Sequence, residues 1–185
     1  MPEFNENTVP AAAIRRGHID DLSPLLRSVA GQLGRQGWRI RGIIQTRETD
    51  IDGNRSRVLH TIDGSGRFPV SQRLGRQSQA CSLDTQALAD AAATLRRWLD
   101  EGPDLLIVDR FGPLEAQGKG FTAELLEIMS RGVPLLTSVK PAEEQAWTSF
   151  TGSLAHWVPP EPKTVCAWAH TVTPRPERMV HPRVG

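Results

Sequence analysis

The run Asp104-Leu105-Leu106-Ile107-Val108-Asp109 constrains this chain more than any other stretch. Its unbroken aliphatic centre leaves no polar face, so it reads as a parallel strand buried on both sides and ending in an acid. Parallel strands need crossover connections, ordinarily helices, and the flanking sequence supplies them. Val9 to Arg15 is a short apolar stretch, and Ile19 to Gln36 follows with Leu22, Leu25, Leu26, Val29 and Leu33 at helical spacing. Pro24 falls in the first turn, where its missing N–H is harmless, and Asp20 or Asp21 can cap that turn. Trp38 to Thr46 gives the next strand and closes a right-handed βαβ unit. Asp84 is placed to cap a helix whose buried stripe is Leu88, Ala91, Ala92, Leu95, Trp98 and Leu99. Beyond the central strand the alternation continues: a helix over 121–131, a strand over 133–139, a helix over 142–150, a short strand over 154–158 and a short helix or strand over 165–169.

The middle of the chain departs from this pattern. Turn clusters at 50–55 and at Asp63-Gly64-Ser65-Gly66 separate two β-like runs, 56–62 and 68–71. They predict a hairpin or small meander that extends the sheet antiparallel. A chain of 185 residues with 38% hydrophobic content supports one core. The expected layout is an N-terminal tail over 1–8, one domain over 9–170 and a flexible C-terminal tail over 171–185. The expected fold is a three-layer α/β domain with a mainly parallel sheet and an antiparallel hairpin extension.

Lys and Arg number 22 against 21 Asp and Glu, a formal charge of +1, so no global field recruits nucleic acid or an anionic membrane. Any anion site must be local. No apolar run is long enough for a membrane span, and Met1 to Asn7 lack the basic and apolar regions of a signal peptide, which makes the cytoplasm the expected compartment. Cys81 and Cys166 stand far apart without a Cys-x-x-Cys partner and are expected to be reduced thiols. No His, Cys and Asp cluster has metal-site spacing, and the five tryptophans do not interleave with a basic patch.

The candidate site lies at the carboxyl end of the central strand, where α/β domains place their ligands. Asp109 next to Arg110 reads either as an acid aimed into a crevice or as a structural ion pair ordering the loop to Glu115. Glu115 is a candidate base or ligand, and Gly118 and Gly120 allow close backbone approach and a lid-like segment. Ser71, Gln72 and Arg73 bring a hydroxyl, an amide and a guanidinium to a strand end, a mix suited to a polar molecule or an oxyanion. Arg15, Arg16 and Ser23 offer a second anion site or else a solvated turn, and Cys81 lacks a histidine at diagnostic spacing to serve as a nucleophile.

The stretch Leu105 to Glu115 resembles the Walker-B region of the bacterial and archaeal nucleoside-triphosphatases related to cancer-related NTPase. Asp109, Gly112 and Glu115 match that pattern, while Arg110 replaces its second acid and Phe111 its aliphatic residue. From about Ala11 to Trp168 the chain also resembles the bacterial family called domain of unknown function 2478. Four blocks carry this: Gly42-Ile43-Ile44-Gln45, Ser71-Gln72-Arg73-Leu74-Gly75 with Ser78, Cys81-Ser82-Leu83-Asp84, and Arg110 to Gly118. The resemblance implies a P-loop NTPase-like fold, and the family's genomic association with molybdate transport implies an oxyanion or metal-metabolism setting. A working P-loop needs Gly-x-x-x-x-Gly-Lys-Ser/Thr to surround the phosphates. Arg15 to Ser23 has one glycine, no lysine, and Asp20 and Asp21 where phosphate would sit.

The leading expectation is therefore a non-hydrolytic small-ligand or oxyanion-binding accessory protein. Its candidate ligand-binding residues are Ser71, Gln72, Arg73, Asp109, Arg110, Glu115 and Gly118, with no metal ligand and no named cofactor. The alternative is a divergent nucleotide hydrolase or transferase using Asp109 and Glu115. Expected partners are a small anionic ligand and either a second copy of the chain or a molybdenum-related protein.

Overall fold

In this computed structural model residues 9–49, 51–53, 55–73 and 81–173 are described, without the side chains of 72, 73, 81 and 82. The chain opens with β1 (Ala11–Arg15), α1 (Ser23–Arg35) and β2 (Ile40–Thr49). It continues through β3 (Arg55–Thr61), β4 (Arg67–Pro69), β5 (Ser71–Arg73) and β6 (Cys81–Leu83) to α2 (Thr85–Asp100). The second half alternates: β7 (Leu105–Phe111), α3 (Pro113–Ala116), α4 (Thr122–Ser130), β8 (Leu135–Val139), α5 (Glu144–Phe150), β9 (His156–Val158) and α6 (Pro162–Val172).

The seven-stranded sheet has the order β4-β3-β2-β7-β8-β1-β9, which puts the aliphatic run at its centre. β7 lies parallel to β2 and to β8, β1 parallel to β8 and β9, and β3 and β4 add an antiparallel edge. Leu105 through Val108 are all fully buried. Because successive strand side chains point to opposite faces, Leu106 and Val108 pack with Trp98, Leu125 and Trp147 on one side. Leu105 and Ile107 pack with Leu26, Val29, Val165 and Trp168 on the other. Two helical layers thus sandwich the sheet. At Gly42, paired with Ile107, a Cβ would lie 2.6 Å from the Ile107 carbonyl oxygen, so β2 can approach β7 only with glycine there.

Several expected boundaries move. α1 begins at Ser23 rather than near Ile19, with Leu22 in the cap position, and Asp21 serves it from outside by accepting the Ser23 N–H at 2.8 Å. The strand expected over 68–71 is divided: β4 belongs to the main sheet, whereas β5 pairs antiparallel with β6 in a separate ribbon that the sequence reading did not foresee. The one-turn α3 was also unforeseen, and 165–169 is helical within α6, which takes in residues 171 and 172. Asp84 caps α2 as expected, accepting the Ala87 N–H at 2.9 Å. Cys166 is a buried free thiol, its pKa raised by burial, while the Cys81 side chain, residues 1–8 and residues 174–185 lie outside the described residues. Among the described residues no helix is long and apolar enough to cross a membrane.

Candidate functional site

The parallel strands β1, β2 and β7 all direct their carboxyl ends to one edge of the sheet, and the residues that leave those ends build the site. Arg16 directly follows β1 and is only 2% exposed. Its Nη1 lies 3.3 Å from Asp109 Oδ1 and 3.3 Å from Ser138 Oγ. Its Nε donates to the Ile19 carbonyl at 3.4 Å, and its Nη2 donates to the Asp20 carbonyl. Asp109 in turn accepts from the Ser138 hydroxyl and from the Gln45 N–H at 3.3 Å. Burial pushes the Asp109 carboxyl above the usual range, with the Arg16 charge and the Ser138 hydroxyl pulling the other way. The counter-charge of Asp109 is therefore Arg16, not the adjacent Arg110 as the sequence suggested.

This arrangement fixes what the β1–α1 loop can hold. A phosphate loop turns its N–H groups inward. Here the carbonyls of Ile19 and Asp20 face a guanidinium, and the Ser23 amide of the first helical turn is already taken by Asp21. The loop cradles a cation supplied by the chain itself. Arg16 is thus neither a solvated turn residue nor a free anion ligand.

Arg110 is the opposite case. It is half-buried, yet among the described residues its guanidinium has no hydrogen bond or ion pair. Burial and the nearby Arg16 lower its pKa, Arg57 adds to that, and Asp109 and Glu143 partly offset it. Arg110 and Gln45 line two adjoining hollows. The smaller, about 50 Å³, is walled by Leu59, Val70, Leu83 and Phe121 and also touches Arg57, Asp109 and Glu115. That is room for no more than a water or two at ~30 Å³ each. The larger is a polar crevice of about 310 Å³. Arg16, Gln45, Thr46 and Arg110 line it from the strand ends, Arg47, Thr49 and Arg55 from the β2–β3 hairpin, and Asp20 and Asp21 from the β1–α1 loop. Among the described residues Thr46 Oγ1 is buried without a hydrogen-bond partner.

The other candidates have internal duties. Glu115 is buried, and its two oxygens accept the Gly112 and Phe121 N–H groups, each at 3.0 Å, the first of these capping the start of α3. Burial raises its pKa and those amides lower it. A Cβ at Gly120, whose φ is +60°, would overlap Glu115 Oε1, so the glycine is needed for this clamp. Gly118 is exposed and borders a separate open groove with Phe111, Thr122 and Phe150, away from Arg110. The Ser71 hydroxyl is committed to the Arg57 N–H at 2.6 Å, which ties β5 to the strand carrying Arg57. The side chains of Gln72 and Arg73, and Leu74, Gly75 and Ser78 entirely, lie outside the described residues. Among the described residues no group of three or more His, Cys, Asp or Glu is placed to hold a metal ion.

The arginines of the hairpin were missed, although a signal was present. Arg47 pairs directly with Arg57 and Thr49 with Arg55, so period-two spacing puts all four on one face. Like charges opposite each other weaken a strand pair, and among the described residues none of the three arginines has an acidic partner.

Comparison with known proteins agrees with this architecture. The family model described as Protein of unknown function (DUF2478) matches residues 11–168. The protein named Molybdenum import ATP-binding protein ModC 2 of Bradyrhizobium diazoefficiens is 34% identical over 178 residues, 96% of this chain but 20% of that protein. This chain thus spans about one fifth of that relative's length. The crystal structure of THEP1 from the hyperthermophile Aquifex aeolicus matches with a TM-score of 0.61 over 89% of this chain and 99% of its own, at 14% identity, a likeness of fold. The chain belongs to the DUF2478 family and has a P-loop NTPase-like fold.

Proposed function

We propose that this protein binds a small anionic ligand without hydrolysing it, as an accessory protein on a P-loop NTPase-like scaffold whose phosphate loop is filled by its own Arg16. The observation that carries the reading is Arg110: a half-buried guanidinium with no hydrogen bond or ion pair among the described residues, flanked by Arg16 and Arg57 and opening on a polar crevice. Desolvating a cation is costly unless an anion answers it. The non-hydrolytic half rests on the two carboxylates a hydrolase would use. Asp109 is neutralised by Arg16, and Glu115 is engaged by two backbone amides. The relative named as a molybdenum import protein supports molybdenum metabolism as the setting and makes molybdate and tungstate the first oxyanions to try.

The test is thermal denaturation with molybdate, tungstate, sulfate, phosphate and nucleotides, since a ligand of the native state raises the melting temperature by mass action. At least one oxyanion should raise it. Arg110→Ala should abolish that response while changing intrinsic stability by less than about 1 kcal/mol, as befits a side chain without a hydrogen bond or ion pair among the described residues. Silence across the panel, or a response that survives Arg110→Ala, overturns the reading.

A further inference from the structure

We infer that the anionic group is carried on a small organic molecule that also presents hydroxyl or amine donors, read by Asp20 and Asp21. This rests on the anion site at Arg110 and narrows it. The crevice of about 310 Å³ falls at the lower end of small-molecule sites, ~300–1,000 Å³, and a single tetrahedral oxyanion leaves most of it unfilled.

Its charge is also divided. Arg47 and Arg55 approach from the hairpin with Arg110 at the strand ends, while Asp20 and Asp21 approach from the β1–α1 loop. A bare oxyanion is drawn by the first group and repelled by the second. A carboxylate accepts hydrogen bonds and donates none, so the acidic side is complementary to O–H or N–H groups, and this mixture discriminates against purely anionic ligands. The acids are also available. Among the described residues the Asp20 carboxylate has no hydrogen-bond partner, and its backbone carbonyl is held by Arg16, which fixes where it stands. Asp21 uses Oδ1 on the Ser23 amide, and among the described residues its Oδ2 is unengaged.

The experiment is titration calorimetry on the full chain with inorganic phosphate, glycerol 3-phosphate, ribose 5-phosphate and phosphoserine. At least one organic phosphate should bind about tenfold more tightly than inorganic phosphate, the worth of one hydrogen bond to a charged acceptor. Asp20→Ala should erase that preference while leaving phosphate affinity unchanged or improved. Arg110→Ala should weaken all four. If phosphate binds through Arg110 but no organic phosphate exceeds it, or if Asp20→Ala strengthens every ligand alike, this inference fails and the anion site stands. If none of the four binds while molybdate, tungstate or sulfate still raises the melting temperature through Arg110, this inference fails and the anion site stands; if those oxyanions are silent as well, both fall.

Discussion

Arg16 and Asp109 stand 93 positions apart in sequence, yet together they decide what the sheet edge can do. A buried ion pair gains little over an apolar pair of the same shape, but losing one partner strands the other charge in a dry site. Arg16→Ala should therefore cost about 3–5 kcal/mol in urea unfolding. Because the penalty comes from the stranded carboxylate, Asp109→Asn in that background should restore part of the loss. A double variant no more stable than Arg16→Ala would show that the cost lies in packing instead. Sequence reasoning identified Asp109 as the key acid and gave it the wrong partner for a simple reason. Arg110 is its neighbour along the chain, but the Asp109 carboxylate is taken up by Arg16, the Ser138 hydroxyl and the Gln45 amide. That allocation leaves Arg110 to the crevice. Glu115 was legible as a special acid, whereas its service to two backbone amides depends on how the chain folds back through Gly120.

At the scale of elements, what was legible carried a period or a turn signature. The aliphatic run of β7, the stripe of α2 and the Asp63-Gly64-Ser65-Gly66 turn all emerged where expected. β5 and β6 did not, because strands of three residues are too short to show a period. The β3–β4 turn supplies a measurable pH dependence. The Thr61 hydroxyl, with the Ser65 amide at 3.0 Å and the Ser65 hydroxyl at 2.7 Å, holds the Asp63 carboxyl down at about 2 against an ordinary 3.8. A carboxyl depressed in the folded state favours folding above the ordinary value, and that contribution is lost as pH falls toward the folded one. The stability gap between the parent protein and Asp63→Ala should narrow as pH drops from above 3.8 to about 2 in a series of thermal melts. A gap that stays constant across this window would assign Asp63 a role independent of its charge.

For the molecule as a whole, a net charge of +1 conceals a strong local asymmetry. Arg16, Arg47, Arg55, Arg57 and Arg110 come from three separate stretches and meet only because β1, β2 and β7 end at one edge. That convergence follows from strand order, which composition does not encode, and it explains why the fold class was readable while most of the crevice was not. The scaffold itself invites comparison with nucleotide sites, and the contrast is testable. A working phosphate loop with nucleotide at 100 times its Kd would gain about 2.7 kcal/mol of stability. In this chain the loop carbonyls face Arg16, the first helical amide faces Asp21, and Asp20 and Asp21 repel a triphosphate. Magnesium-ATP should accordingly protect the protein against heat no better than ribose 5-phosphate at equal concentration, and phosphate release should stay at the rate of the protein-free blank. Sustained release that disappears in Asp109→Asn would mean that the Arg16 contact opens in solution and that Asp109 is free to act, which would replace the binding role with a catalytic one.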